Sequence, residues 1–155
     1  MEALLEDSSE GSGGDVKLEK GERKLMPKEI TYLASIYSSP FSHLKEIRYK
    51  LACAACAFFK QETDFGVYSP VVHWHPISIR YEIPGDFHTW QEEDKKMITL
   101  LDSFTVLRSE GWEKSEGVRT ELLFAQKLRK KINWLRLLEP VPYPLELRYK
   151  FKFLD

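Results

Sequence analysis

The sequence predicts an α/β domain of three layers, with helices on both faces of a mainly parallel sheet of about five strands. Two observations carry that expectation. Short apolar runs of strand character alternate with longer stretches of 3.6-residue period, and polar turn residues separate the two kinds. The chain is also 43% hydrophobic and 13% aromatic over 155 residues, enough for one sizeable core. Strands alternating with helices imply right-handed crossovers and hence parallel pairing.

Residues 1–28 are rich in Glu, Lys, Ser and Gly, including Ser9 to Gly14, and are expected to form a disordered tail. The domain proper is expected over 29–142. Ile30 to Ser35 reads as the first buried strand, and Tyr37 to Pro40 as a turn. A helix follows from about Phe41 to Gln61, with Leu44, Ile47, Leu51, Ala54, Ala55 and Phe58 as its core face. Gly66 to His73 reads as a second strand with Pro70 near its carboxyl end, and His75 to Gly85 as a loop.

Asp86 can cap a helix running to about Leu101, which places Trp90, Asp94 and Met97 on one side. Ser103 to Arg108 is an apolar third strand. A helix from about Ser115 to Lys131 and a strand from Ile132 to Leu138 complete the alternation. At the carboxyl end, residues 143–155 alternate Leu145, Leu147, Tyr149, Phe151 and Phe153 with charged residues. That period-two pattern predicts a half-buried strand at the sheet edge or against a second subunit. The architecture so predicted is flavodoxin-like or Rossmann-like.

Two carboxylates fall on apolar helix faces. On the period of the fourth helical stretch, Val118, Leu122, Ala125, Leu128 and Ile132 share one face, and Glu121 lies within it. Asp94 lies on the Trp90 side of the preceding helix. A carboxylate in such a stripe must be paired, protonated or used. Either can be tethered to a cation, Arg119 or Arg48 for Glu121 and a lysine for Asp94. Both helices also begin outside the carboxyl ends of strands, where open α/β sheets bind ligands, and two carboxylates in one site suit glycosidic bond cleavage.

Several classes are disfavoured. A net charge of -1 and a pI near 6.4 argue against a nucleic-acid polymer or a membrane surface as partner. No apolar run approaches the ~20 residues of a membrane span, and the amino terminus lacks a signal pattern, so the expected location is the cytoplasm. Cys53 and Cys56 sit in an Ala-rich helical run and are expected to be buried reduced thiols. The first strand's turn lacks a Gly-x-Gly-x-x-Gly fingerprint, so no dinucleotide cofactor is expected. His73 and His75 fall on one side of an extended chain and can pair on a metal. Only Asp86 and His88 offer further ligands, so the expected metal is none and the histidines are expected to line a pocket. Trp74 and Trp90 can stack on a base or fill a core. In the turn cluster Ser35, Ser38 and Ser39, Ser35 is the residue expected near a ligand.

Tyr32 in Ile-Thr-Tyr-Leu-Ala-Ser, Asp94 in Trp-Gln-Glu-Glu-Asp, Asp102, and Ser115-x-Gly117-Val-x-x-Glu121 occur in this order. On these elements the chain resembles the nucleoside 2-deoxyribosyltransferase superfamily, which includes 2'-deoxynucleoside 5'-monophosphate N-glycosidases. The resemblance spans about residues 29–139. It is nearest to a branch of bacterial and phage proteins with a Ser-Pro-x-x-His-x-His-Pro-Ile stretch, here Ser69 to Ile77. It implies that Glu121 attacks an anomeric carbon, that Asp94 protonates or holds the base, and that Tyr32 orients the nucleophile. Ser115 matches a position that is serine in the monophosphate glycosidases, where it helps hold phosphate, and aspartate in the transferases. The implied substrate is a nucleotide or nucleoside, and the implied assembly a homodimer or larger. The alternatives are a nucleotide-binding module without turnover and a glycohydrolase of the NAD or ADP-ribose type.

Overall fold

The computed structural model describes residues 26–138 and 150–155. Its elements are β1 (Ile30–Ala34), α1 (Ser42–Glu62), β2 (Gly66–Tyr68), α2 (Pro70–Tyr81), α3 (Phe87–Leu100), β3 (Ser103–Arg108), α4 (Glu116–Lys127), β4 (Lys131–Leu137) and β5 (Phe151–Leu154). A short 3-10 turn at Trp112–Lys114 stands between β3 and α4. The five-stranded sheet has the order β2-β1-β3-β4-β5, with only β5 antiparallel. The three-layer, mainly parallel α/β fold expected from the alternation is the fold observed.

The two sheet faces carry separate cores. Leu33, Leu107, Leu135 and Phe151 pack under α1 through Leu51, Ala55 and Phe59. Tyr32, Ala34, Phe104 and Val106 pack under α3 and α4 through Ile98, Val118 and Ala125. Chain direction reverses across the sheet because β1 connects to β2 on one side and β3 leads to β4 on the other. The switch point therefore lies between the carboxyl ends of β1 and β3, where open α/β sheets form their ligand crevice. At the opposite end, Asp102 accepts the Ile30 amide at 2.8 Å and fixes the start of β1 beside β3. Asp102, one of the residues on which the resemblance rests, is thus a strand-end tie far from that crevice.

The segment after β2 differs from expectation. β2 stops at Tyr68, and Ser69 caps α2 by accepting the Val72 amide at 3.2 Å, with Pro70 as the first helical residue. Proline fits there because its missing N–H has no helical acceptor to lose. The expected loop from His75 to Gly85 is helical to Tyr81 despite Pro76 in its interior. It ends at Glu82 in the left-handed region with φ 52°. His73 and His75 consequently stand about 200° apart around a helix instead of on one side of a strand.

Smaller corrections concern helix faces and ends. The buried stripe of α1 is Leu51, Ala52, Ala55 and Phe59, so expected Ile47 is exposed and Ala54 and Phe58 lie at its margin. α4 ends at Lys127, with Arg129 at φ 56° closing the turn. Leu128 is therefore exposed, and Ile132 belongs to β4. Lys28 donates its amide to the Asp64 carbonyl, so contacts of the domain include a residue just before the expected boundary at 29. Most of the expected tail, and residues 143–149 of the alternating segment, lie outside the described residues. Phe151–Leu154 joins the sheet edge, the first of the two placements expected for that segment.

Candidate functional site

A cavity of about 270 Å³ opens at the switch point. Its walls come from the turn after β1 (Ser35 to Ser38), the inner face of α2, the start of α3, and the segment from Gly111 into α4. Capping fixes both helices that deliver the carboxylates. Asp86 accepts the Thr89 amide at 2.9 Å to start α3, and Ser115 accepts the Val118 amide at 3.3 Å to start α4. Asp94 then comes two turns into α3, and Glu121 falls in the second turn of α4. Gly117 permits close packing there, since a Cβ would lie 3.2 Å from the Phe87 ring and 3.8 Å from Glu121 Oε1.

Glu121 is 8% exposed and Asp94 6%, and no cation pairs with either among the described residues. The tethering to Arg119, Arg48 or a lysine that the sequence allows is absent from the ion pairs observed. Burial pushes the Glu121 carboxyl up to about 8. The charge of Asp94 adds to the rise, while a nearby Tyr32 hydroxyl opposes it. Burial likewise raises Asp94 to about 7, with Glu93 contributing. The Tyr32 hydroxyl is held well above its ordinary range, first by burial and then by the charges of Glu121 and Asp94. Tyr32 approaches Glu121 closely enough to favour the ionised carboxylate. No hydrogen bond of good geometry closes between them, so Tyr32 Oη and Glu121 Oε2 both lack a partner.

Unsatisfied polar atoms concentrate here. Of seven buried side-chain atoms without a partner among the described residues, five belong to cavity-lining residues: Ser35, Trp74, Ser78, Asp94 and Glu121. A sixth, Tyr32 Oη, lies near Glu121 and Asp94. Buried polar atoms are normally paired, so such a concentration marks this cavity as the candidate site.

The remaining expected residues divide. Ser35, Ser115, Gly117, Trp90 and His75 line the cavity, and exposed His73 does not, because the helical turn carries it outward against Tyr68 and Trp74. Trp74 and Trp90 stack on one another at 4.1 Å and 18°, so those two ring faces are unavailable to a base. His75 is 4% exposed, and both its ring nitrogens are engaged, Nδ1 with Tyr37 Oη at 2.7 Å and Nε2 with Glu46 Oε2 at 2.7 Å. It also stacks on Tyr49 at 4.4 Å. His75 therefore positions Tyr37, a cavity residue that turn chemistry alone did not single out. Arg48 holds the same turn through the Tyr37 and Ser38 carbonyls. The Ser69-Pro70 start of α2 is the signal from which His75 could have been placed on the inner helix face.

Among the described residues no three His, Cys, Asp or Glu side chains converge as a metal centre requires, and no helix is long and apolar enough to cross a membrane. Cys53 and Cys56 are free and half-buried. Burial, then the neighbouring Cys53, pushes the Cys56 thiol up to about 12, against a reactive thiolate.

No curated protein matches the chain. A family model described as "Domain of unknown function (DUF1937)" matches residues 29–136, the segment that holds β1 through nearly all of β4 and every cavity-lining side chain. The chain belongs to the DUF1937 family.

Proposed function

We propose that the protein cleaves the N-glycosidic bond of a nucleotide or nucleoside, with Glu121 as nucleophile. The observation that carries this reading is the pair of buried carboxyls, Glu121 and Asp94, without a cation partner among the described residues, facing one cavity with their pKa values raised toward neutrality. The order of Tyr32, Asp94, Ser115 and Glu121, which resembles the nucleoside 2-deoxyribosyltransferase superfamily, supports the same chemistry.

In this reaction a Glu121 oxygen bonds to the anomeric carbon as the carbon–nitrogen bond breaks. The bonding pair leaves with the base, and Asp94 in its acid form supplies the base's proton. The resulting glycosyl ester passes its sugar to water or to a second base. The two carboxyls titrate as a coupled pair, and an intermediate state holds one proton between them. Tyr32 opposes the rise at Glu121, which still stands above Asp94, so the reaction requires bound substrate to move the proton from Glu121 to Asp94 before attack. Tyr37, held by His75 and Glu46, and the orphan hydroxyls of Ser35 and Ser78 supply polar contacts for the sugar or base. No cofactor is required, and a cytoplasmic nucleotide pool would supply substrate.

The test is base release, followed by chromatography, from a panel of ribonucleoside and deoxyribonucleoside monophosphates, nucleosides and NAD. Release from a nucleotide or nucleoside that vanishes in Glu121→Ala supports the proposal. Binding without release anywhere in the panel means a nucleotide-binding module, and nicotinamide release from NAD means a glycohydrolase of that type.

Ser115 refines the substrate. Its hydroxyl caps α4 at a helix end whose amides and dipole favour an anion. Ser115→Asp keeps the cap but sets a negative charge where phosphate would sit. Its kcat/KM for a monophosphate is expected to fall at least about tenfold while the matching nucleoside is little affected and stability holds. Equal losses on both substrates would remove Ser115 from phosphate recognition. A homodimer or larger assembly is expected as well, and light scattering giving a monomer at micromolar concentration would exclude it.

A further inference from the structure

A second concavity adjoins the first across Gly111, which lines both. It lies at the same end of the sheet, and Arg108 and Arg136, the first two of a row of three cations, line it. Arg108 of β3 pairs in register with Arg136 of β4, which pairs in register with Lys152 of β5. Register partners point to the same face, so three exposed like charges stand side by side on the α3/α4 face. Like charges directly opposite are destabilising, and none of the four ion pairs among the described residues uses any of the three. Glu110 and Glu113 line the concavity without closing an ion pair to the row.

Two further observations mark the row as a built feature. The Arg108 guanidinium lies over the Trp112 ring at 5.5 Å and the Trp134 ring at 5.9 Å, which restrains its planar fork. Ser109 lines the same concavity, is 7% exposed, and has a hydroxyl with no partner among the described residues. An aligned row of cations beside an unsatisfied buried hydroxyl suits phosphate oxygens, which accept from both.

We infer that Arg108, Arg136, Lys152 and Ser109 form a second phosphate subsite, reached from the main cavity past Gly111, and that the ligand is a nucleoside carrying a diphosphate or longer phosphate chain. The inference rests on the glycosidic reading in taking the ligand of the main cavity to be a nucleotide. A monophosphate bound near Ser115 leaves this row empty, whereas a longer chain continues from the α4 amino terminus toward it.

The test is calorimetric titration of the full chain and of its R108A/R136A variant with four deoxynucleoside monophosphates, the corresponding diphosphates, and inorganic pyrophosphate. At least one diphosphate is expected to bind about tenfold more tightly than its monophosphate. In the variant that ratio should fall to about one, with monophosphate affinity within about twofold and the fold retained, since relief of the like-charge pair opposes the loss of Arg108 packing on Trp112 and Trp134. No diphosphate preference in the parent, a preference retained in the variant, or no binding at all overturns the inference. So does pyrophosphate alone binding as tightly as the diphosphates. Free base measured in the same samples separates the two readings. Diphosphate preference without base release sustains the subsite and sinks the glycosidase, and release without the preference does the reverse.

Discussion

Glu121→Gln is expected to lower base release by at least about 10⁴-fold, because it removes the carboxylate proposed to form the bond that replaces the glycosidic one. The substitution keeps the size of the side chain and removes the buried charge, so the fold should survive it. Asp94→Asn should cost less, about 10²- to 10⁴-fold, since a positioned acid assists departure of the base without carrying the sugar. The largest Asp94 losses should fall on bases that leave poorly without a proton. Rates from the steady state of a good substrate, with unfolding midpoints alongside, separate lost chemistry from lost structure. A Glu121→Gln protein with near-parental turnover would remove Glu121 from the reaction.

The second large effect concerns stability and follows chiefly from burial. In the native protein Glu121 and Asp94 hold protons up to about 8 and about 7, whereas in the unfolded chain they release them in the ordinary carboxylate range. Between those limits the folded state binds more protons than the unfolded one, so stability falls as pH rises. The contribution is fully present below about pH 4 and is lost through pH 8. For one such group the slope approaches about 1.4 kcal/mol per pH unit, a few kcal/mol across the window. The two shifts are coupled and do not add in full, because part of the Glu121 rise comes from Asp94. Urea unfolding at pH 5, 6, 7 and 8 should therefore show Glu121→Gln gaining on the parent as pH increases. A difference independent of pH would mean that Glu121 is ionised and satisfied in the native state. Stability gained where activity is lost is the expected mark of a carboxylate kept for function.

Much of this was readable in the residues. The apolar run of β3 matched its observed limits, and Asp86 and Ser115 cap α3 and α4 as their side-chain chemistry predicts. Once those two helix starts were known, the 3.6-residue period alone turned Asp94 and Glu121 toward the core. The failure was local and came from Val71 and Val72. β-branched residues after a strand favour extended chain, and they masked the Ser69-Pro70 signal that starts a helix. With α2 read as strand and loop, His73 and His75 fell on one side, and the bonding of His75 to Tyr37 and Glu46 stayed hidden. Partners 38 and 29 residues apart are a tertiary fact that no local period records. The cationic row needed pairing registers for the same reason, since Arg108, Arg136 and Lys152 become neighbours only once β3, β4 and β5 are aligned.

Trapping the sugar on Glu121 would identify it as the nucleophile. The protein is incubated with 2'-deoxy-2'-fluoroarabinonucleotides of the bases it releases, whose fluorine slows breakdown of a glycosyl ester, and then digested for mass spectrometry. The peptide containing Glu121 is expected to gain the mass of the fluorinated sugar or sugar phosphate as one equivalent of base appears. Base released with the sugar attached to a different peptide, or with no sugar retained on the Glu121 peptide, would contradict that assignment.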